Sequence, residues 1–338
     1  MEFLAGGRAE VRITHADVGK RVSVRRLTGG GAGEPAFTDA VGVLTSWDEG
    51  VLSITRRGGE CVRIPESSLV AAKVVPAAPA RRRGPAATMR ELEEVAARGW
   101  PALETERLGE WTLRASEGFT RRANSALALG DPGIPLPEAL DRVEGWYAAR
   151  GLPVLLTVPT GDSAGERLAA ELAARGWPAE AHTTVRTAPL APLADAAGDR
   201  ARVLLSREPD DGWLGLYHRA GADRPAAARA VLTGGPSVWF ARVPAPNNGT
   251  AAIGRLVVDG RWAGFSAIET DPAWRRGGLA TLVMAALAER ALAEGASAAY
   301  LQVEADNAPA LALYGRLGFT EHHGYHYRRG VASSAGGA

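Results

Sequence analysis

What most constrains this chain is a change of periodicity across a Pro/Ala/Arg tract, PAAPARRRGPAAT at 76–88. Before the tract, short alternating runs are broken by turn residues, the signature of small antiparallel strands. After it, helical and strand patterns alternate, the signature of a sheet flanked by helices. One hydrophobic core does not serve both patterns. The 338 residues, at roughly 150 per domain, leave room for more than one. The tract has the composition of a semi-extended linker, and Arg81, Arg82 and Arg83 within it read as solvated charges.

Residues 1–75 predict strands at 21–27, 40–46, 51–55, 61–65 and 70–75, with GGGAGEP at 29–35 as a loop between the first two. The spacing resembles an all-β SH3-like small barrel. Cys61 is the only cysteine, which excludes an intramolecular disulfide and a cysteine metal cluster; it is expected to be a small buried hydrophobe. A formal net charge of +1, from 39 basic and 38 acidic residues, gives no global field for nucleic acid or anionic lipid. Nucleic acid is therefore not an expected partner. The first ten residues lack a basic segment followed by an apolar run, and the most apolar helix is interrupted by Glu289 and Arg290, so the expected location is cytoplasmic, with no membrane contact.

Beyond the linker, the first round of alternation predicts strands at 111–115, 122–129, 153–158 and 182–187 with helices at 137–150 and 164–175. The second predicts strands at 265–270 and 299–304 with helices at 278–294 and 308–317. The rounds echo one another as an internal repeat: Arg175-Gly176-Trp177 and Leu317-Gly318-Phe319 each close a helix that follows a buried strand. The residues after 330 are expected to be a disordered tail.

The informative segment runs from Ile268-Glu269-Thr270 through Asp271-Pro272-Ala273-Trp274 to Arg275-Arg276-Gly277-Gly278-Leu279-Ala280-Thr281. It lies between a strand and a helix expected to be strongly amphipathic, with Leu279, Leu282, Val283 and Ala286 on its buried face. Glycines at a helix N-terminus bare the backbone N–H groups, and the helix end carries partial positive charge. Thr281 adds a hydroxyl and two arginines precede the turn, so the segment reads as a pyrophosphate cradle. No GK[ST] and no G-x-G-x-x-G occurs there, which excludes a Walker loop and a Rossmann fingerprint.

The segment is similar to the acetyl-coenzyme A signature [QR]-x-x-G-x-[GA] of GNAT acetyltransferases, met by Arg275, Gly278 and Ala280. A second GNAT-like signature follows as Asn307-Ala308-Pro309-Ala310-Leu311-Ala312-Leu313-Tyr314, ending on Gly318-Phe319. The whole order, an SH3-like barrel, a basic linker, a degenerate half and a competent half, resembles an actinobacterial group described as histone-acetyltransferase-like. The fold this implies is tandem GNAT-like mixed α/β sheets flanked by helices, after the all-β barrel. Its degenerate lobe would be residues 89–195 and its catalytic domain 196–330.

The resemblance implies that main chain around Ile268, Glu269 and Thr270 pairs with the pantetheine arm of acetyl-CoA. Arg275 through Thr281 would hold the phosphates, Asn307 would contact pantetheine, and Tyr314 would be the general acid. Glu269 or Glu304, ending the two strands that flank the slot, is the candidate base, with Glu269 preferred. The implied activity is N-acetyl transfer to a primary amine, on a small molecule, a peptide or a protein; the alternative is a non-catalytic acyl-CoA sensor or a partner-binding or nucleic-acid-binding protein.

The first half contrasts with the second. Four residues before Gly176 stands Leu172 where Tyr314 precedes Gly318, and GDPGIPLP, with no arginine-glycine cradle, precedes the helix near Pro137. Arg121-Arg122-Ala123-Asn124-Ser125 is placed to reach the cleft. Trp213 and Tyr217 on the first helix of the active half serve equally as core or as substrate wall. His322, His323 and His326 crowd one strand without acidic ligands at metal spacing, so no metal site is expected; one of the three is a candidate for the acceptor side.

Overall fold

A computed structural model describes residues 11–27, 37–56, 60–75, 85–196, 198–218, 224–246 and 249–330. The predicted loop at 29–35, the arginine triplet 81–83 and the tail 331–338 lie outside them. The chain divides into two compact units, residues 1–83 and 84–338.

In the first unit, β1 (Val11–Arg12), β2 (Arg21–Leu27), β3 (Phe37–Asp48), β4 (Val51–Thr55), β5 (Cys61–Pro65) and β6 (Leu69–Val74) form a six-stranded sheet in the order β1-β6-β2-β3-β4-β5. Strict alternation sends Val22 and Val24 of β2 and Leu52 and Ile54 of β4 into one core with Leu44, Trp47 and Ile64. The two-residue β1 carries no periodic signal and was not expected from the sequence. Cys61 corrects another expectation: it is exposed. It starts the edge strand β5, where only Ile64 is buried.

The second unit is one continuous eleven-stranded sheet. Its first half supplies α1 (Met89–Gly99), β7 (Glu104–Leu108), β8 (Trp111–Ala115), β9 (Ala126–Leu127), α2 (Leu136–Ala148), β10 (Leu155–Thr160), α3 (Ser163–Ala174) and β11 (Ala179–Pro189). After a short α4 (Ala191–Ala194), the second half supplies β12 (Leu204–Ser206), α5 (Asp211–Leu216), α6 (Pro225–Thr233), β13 (Ser237–Pro244), β14 (Thr250–Asp259), β15 (Trp262–Thr270), α7 (Leu279–Ala293), β16 (Ala298–Glu304), α8 (Ala308–Arg316) and β17 (Thr320–Arg329). The sheet order is β12-β13-β14-β15-β16-β11-β17-β10-β9-β8-β7.

Apart from β12, this order reads alike from either edge, with a pseudo-twofold between β11 and β17. Each half sends its last strand into the other: β11 pairs antiparallel with β16, and β17 pairs antiparallel with β10. The halves are therefore fused by main-chain hydrogen bonds. Their helix endings match atom for atom. Gly176 and Gly318 both adopt positive φ (78° and 88°), and Trp177 N–H to Leu172 C=O (3.0 Å) mirrors Phe319 N–H to Tyr314 C=O (2.9 Å), the closure a left-handed glycine allows.

Two element expectations need correction. Residues 122–129 are not a strand: Arg121–Ala123 is a 3-10 turn and only Ala126–Leu127 pairs. The buried Asn124 is the reason. Its side chain accepts from the N–H groups of Ser116 and Gly118 and donates to the carbonyls of Phe119 and Thr120, replacing ladder bonds with a side-chain-stapled loop. The helix α7 is not amphipathic; Leu282 through Ala288 are all buried, because α4 covers the side turned away from β13, β14 and β15.

Candidate active site

The centre of the second half is a place where the sheet opens. β15 and β16 run parallel and pair from Trp262↔Ala298 to Phe265↔Leu301, and no further. On its other side β15 is bulged, its register against β14 shifting between Ile253 and Arg255, with Ala267 at φ 50°. Ser266–Thr270 thus runs on without ladder pairing to β16, an edge that an extended ligand can complete, and the Thr270 carbonyl accepts from Arg275 Nε (3.3 Å).

The strand feeds the turn ahead of α7. Arg276 (φ 65°) and Gly278 (φ 76°) are both left-handed. Successive N–H groups in such a turn form an anion-binding concavity, and strain of this kind in non-glycine residues clusters at functional sites. The Gly278 N-cap has no capping side chain, so the first amides of α7 have no side-chain acceptor. A Cβ on Gly278 would meet nothing within 4 Å; the space before the helix end is open. These features fit a pyrophosphate.

Ile268, Glu269, Thr270, Arg275, Arg276 and Gly278 line one cleft of about 970 Å³. Leu279, Ala280, Thr281, Asn307 and Tyr314 complete it from α7 and α8. Two predicted residues fall elsewhere. Gly277 turns back over its own loop, where a Cβ would lie 3.5 Å from the Trp274 carbonyl. Glu304 lines a neighbouring cavity of about 470 Å³ instead, since the splay of β15 from β16 puts the two strand ends in different compartments. Asn307 is the N-cap of α8, its Oδ1 accepting from Ala310 N–H (3.2 Å).

Tyr314 is buried against Phe319, ring to ring at 5.9 Å. Its hydroxyl makes no hydrogen bond among the described residues. Burial pushes the phenol up from 10.0 to about 12, so it carries its proton at neutral pH. Glu269 Oε2 lies 2.6 Å from His218 Nδ1 and also accepts from the His218 N–H (3.3 Å). His218 lines both the cleft and the smaller cavity. Sequence reasoning missed it; adjacency to Tyr217 was the only signal it offered.

The smaller cavity is built by both halves. Arg121 and Arg122 come from the loop held by Asn124, and Tyr325 and Tyr327 from the exchanged strand β17. Tyr217 is part of its wall, whereas Trp213 is core, its indole N–H bonded to the Gly254 carbonyl (3.1 Å). None of the three histidines named from β17 lines it. His322 and His323 turn toward α1, bonding the Ala87 carbonyl (3.0 Å) and Glu93 (2.8 Å), and His326 stacks on His182. The tyrosines interleaved with them reach the cavity.

Residues 86–328 match the family described as "Probable histone acetyltransferase Rv0428c C-terminal", and residues 16–73 match "Rv0428c N-terminal Sm-like domain". The probable histone acetyltransferase Rv0428c of Mycobacterium tuberculosis is 31% identical over 335 residues, covering 96% of this chain and 98% of its own. The uncharacterized N-acetyltransferase YobR of Bacillus subtilis is 28% identical over 252 residues, covering 71% and 98%. Among solved structures, a GCN5-related N-acetyltransferase from Kribbella flavida gives a TM-score of 0.53 at 15% identity over 72% of this chain and 96% of its own. A tandem GNAT protein from the clavulanic acid biosynthesis pathway gives 0.51 at 18%, over 63% and 76%. With the opened sheet and the bare helix end before it, the match over 86–328 makes this chain a member of the Rv0428c family of GNAT-type N-acetyltransferases, carrying an N-terminal Sm-like domain.

Proposed function

We propose that the second half transfers an acetyl group from acetyl-CoA to an amine, with Tyr314 as general acid and Glu269 as general base. The observation that carries this reading is convergence: the opened β15 edge, the bare amides of α7 and a protonated phenol share one cleft. When bound, acetyl-CoA supplies the thioester carbonyl that the amine attacks.

The chain's own groups divide the work. The amides from Arg276 to Thr281 bind phosphate, with Arg275 and Arg276 exposed beside them. Ser266–Thr270 orients the pantetheine arm as an added strand, and holding both reactants at attack distance removes much of the barrier. Tyr314 Oη keeps its proton until the sulfur leaves and then gives it up. Glu269 takes the amine proton at a carboxylate held in place by His218, and Glu304 faces the acceptor from the smaller cavity.

Calorimetric titration with acetyl-CoA tests the reading. Micromolar binding to the native chain, lost in Gly278→Glu, is expected, because that variant puts a carboxylate where phosphate would sit. Absence of binding by the native chain defeats it.

A further inference from the structure

Resting on the acetyl-transfer reading, we propose that the acceptor is a small zwitterion, an amine that also carries a carboxylate, and that Arg122 binds the carboxylate. The 470 Å³ cavity is in the size range of small-molecule sites. It contains one carboxylate, that of Glu304, and the guanidiniums of Arg121, Arg122 and Arg224, of which Arg224 is exposed to water. Arg121 is taken up by Glu180 (3.2 Å). Arg122 is different. It is half-buried, and its Nε donates to the Tyr325 hydroxyl (3.3 Å). Among the described residues it has no carboxylate partner.

A guanidinium has five N–H donors; one of Arg122's is engaged with Tyr325, and the residue lines the cavity. A charge withdrawn from water in this way is favourable when an anion meets it. Its surroundings sharpen that demand. The Arg122 Cζ stands 5.7 Å from the Trp100 ring centre, and the Arg255 Cζ stands 4.7 Å from the same ring. Arg255 is fully buried and meets the Leu232, Gly99 and Gly234 carbonyls. Burial first, and the charge of Arg122 as well, bring its guanidinium down to about 10. Two cations flank one indole, the neutral carbonyls serve the inner one, and the outer one opens on the cavity.

The same cavity also suits an amine. Glu304 lines this cavity, and His218, in contact with Glu269, borders both compartments. An amine beside His218 lies at the border with the cleft, and Arg122 in the same cavity takes the carboxylate. Tyr217, Tyr325 and Tyr327 supply aromatic walls to the cavity. A lysine side chain on a protein brings an ammonium and an aliphatic stem, and leaves Arg122 without an anion.

The test is calorimetric titration of the coenzyme A-saturated chain with the standard amino acids, each beside its C-terminal amide. At least one free acid is expected to bind about 10-fold or more tightly than its amide, in keeping with a hydrogen bond to a charged group. Arg122→Gln should bring the pair within about 2-fold and Arg122→Lys should keep part of the difference. No probe preferring its carboxylate form, or a preference that survives Arg122→Gln, overturns the proposal. Coenzyme A binding, measured first, separates the two ideas: binding without carboxylate preference defeats the zwitterion alone, and no binding defeats the acetyl-transfer reading, while the amino-acid titration still reads the Arg122 site.

Discussion

The two halves of the large sheet share a framework and differ in what stands at four places on it. Both have a cleft beside the equivalent helix pair, about 1040 Å³ in the first half and about 970 Å³ in the second. Space is not the difference. Where α7 begins with Gly278 and free amides, α2 begins with Pro135 as its N-cap and Pro137 in its first turn, followed by Glu138. Prolines have no N–H to offer, and the glutamate opposes an anion. Where Asn307 caps α8, the carboxylate of Asp162 caps α3. Tyr314 is matched by the fully buried Leu172, and nine-residue β15 by two-residue β9. A fold keeps its shape through apolar packing and helix closure, which both halves retain; an anion site needs individual donors, which single substitutions remove.

The sharpest break of this comparison is Tyr314→Phe. It is expected to lower kcat about 100-fold or more with acetyl-CoA affinity retained; unchanged turnover would place the acid elsewhere. With a phenol near 12, the native rate should show no Tyr314-dependent decline as pH rises to about 10, and a descending limb lost in the Phe variant would contradict that. Next in size, Glu269→Gln should lower kcat about 10- to 100-fold, whereas Glu304→Gln should act mainly on the acceptor KM. The opposite split would exchange their roles. Calorimetry should give one acetyl-CoA per chain, and two would mean that the first half is not degenerate.

Smaller effects test what the halves share. Gly176→Ala and Gly318→Ala each force a side chain into a left-handed closure and should cost about 1 kcal/mol, read as similar losses in urea midpoint. A much larger loss for one would show that the closures are not equivalent. A last effect, silent at neutral pH, concerns the exchanged strand β17. Burial, with Arg328 and His182, lowers His326 from 6.5 to about 4. A folded pKa below the unfolded value means that stability is full above pH 6.5 and declines as pH falls toward 4. His326→Gln should flatten that part of the Tm-versus-pH curve, and an unchanged slope would assign acid sensitivity to other groups.

Much of the local structure was legible because its causes are local. Alternation gave the strands of the small unit, with β2, β4 and β5 at their observed bounds. Glycine closures gave the echo between Gly176 and Gly318, and the Arg275–Thr281 turn carries its own geometry. Errors came where a distant residue decides. Asn124 cancels a strand through bonds to Ser116 and Gly118, α4 hides a helix face that periodicity left exposed, and an edge position leaves Cys61 in water.

By itself, then, the sequence determined many of the elements, their glycine closures and the turn at Arg275–Thr281, since each depends on hydrogen bonds and sterics within a few residues. Only the tertiary structure decided that β11 and β17 change places, that His218 meets Glu269 across 51 residues, and that Arg122 shares a cavity with Tyr325 and Glu304. Strand exchange is settled by which pairing buries most apolar surface and satisfies every ladder bond, a property of the whole sheet that no window of the chain contains.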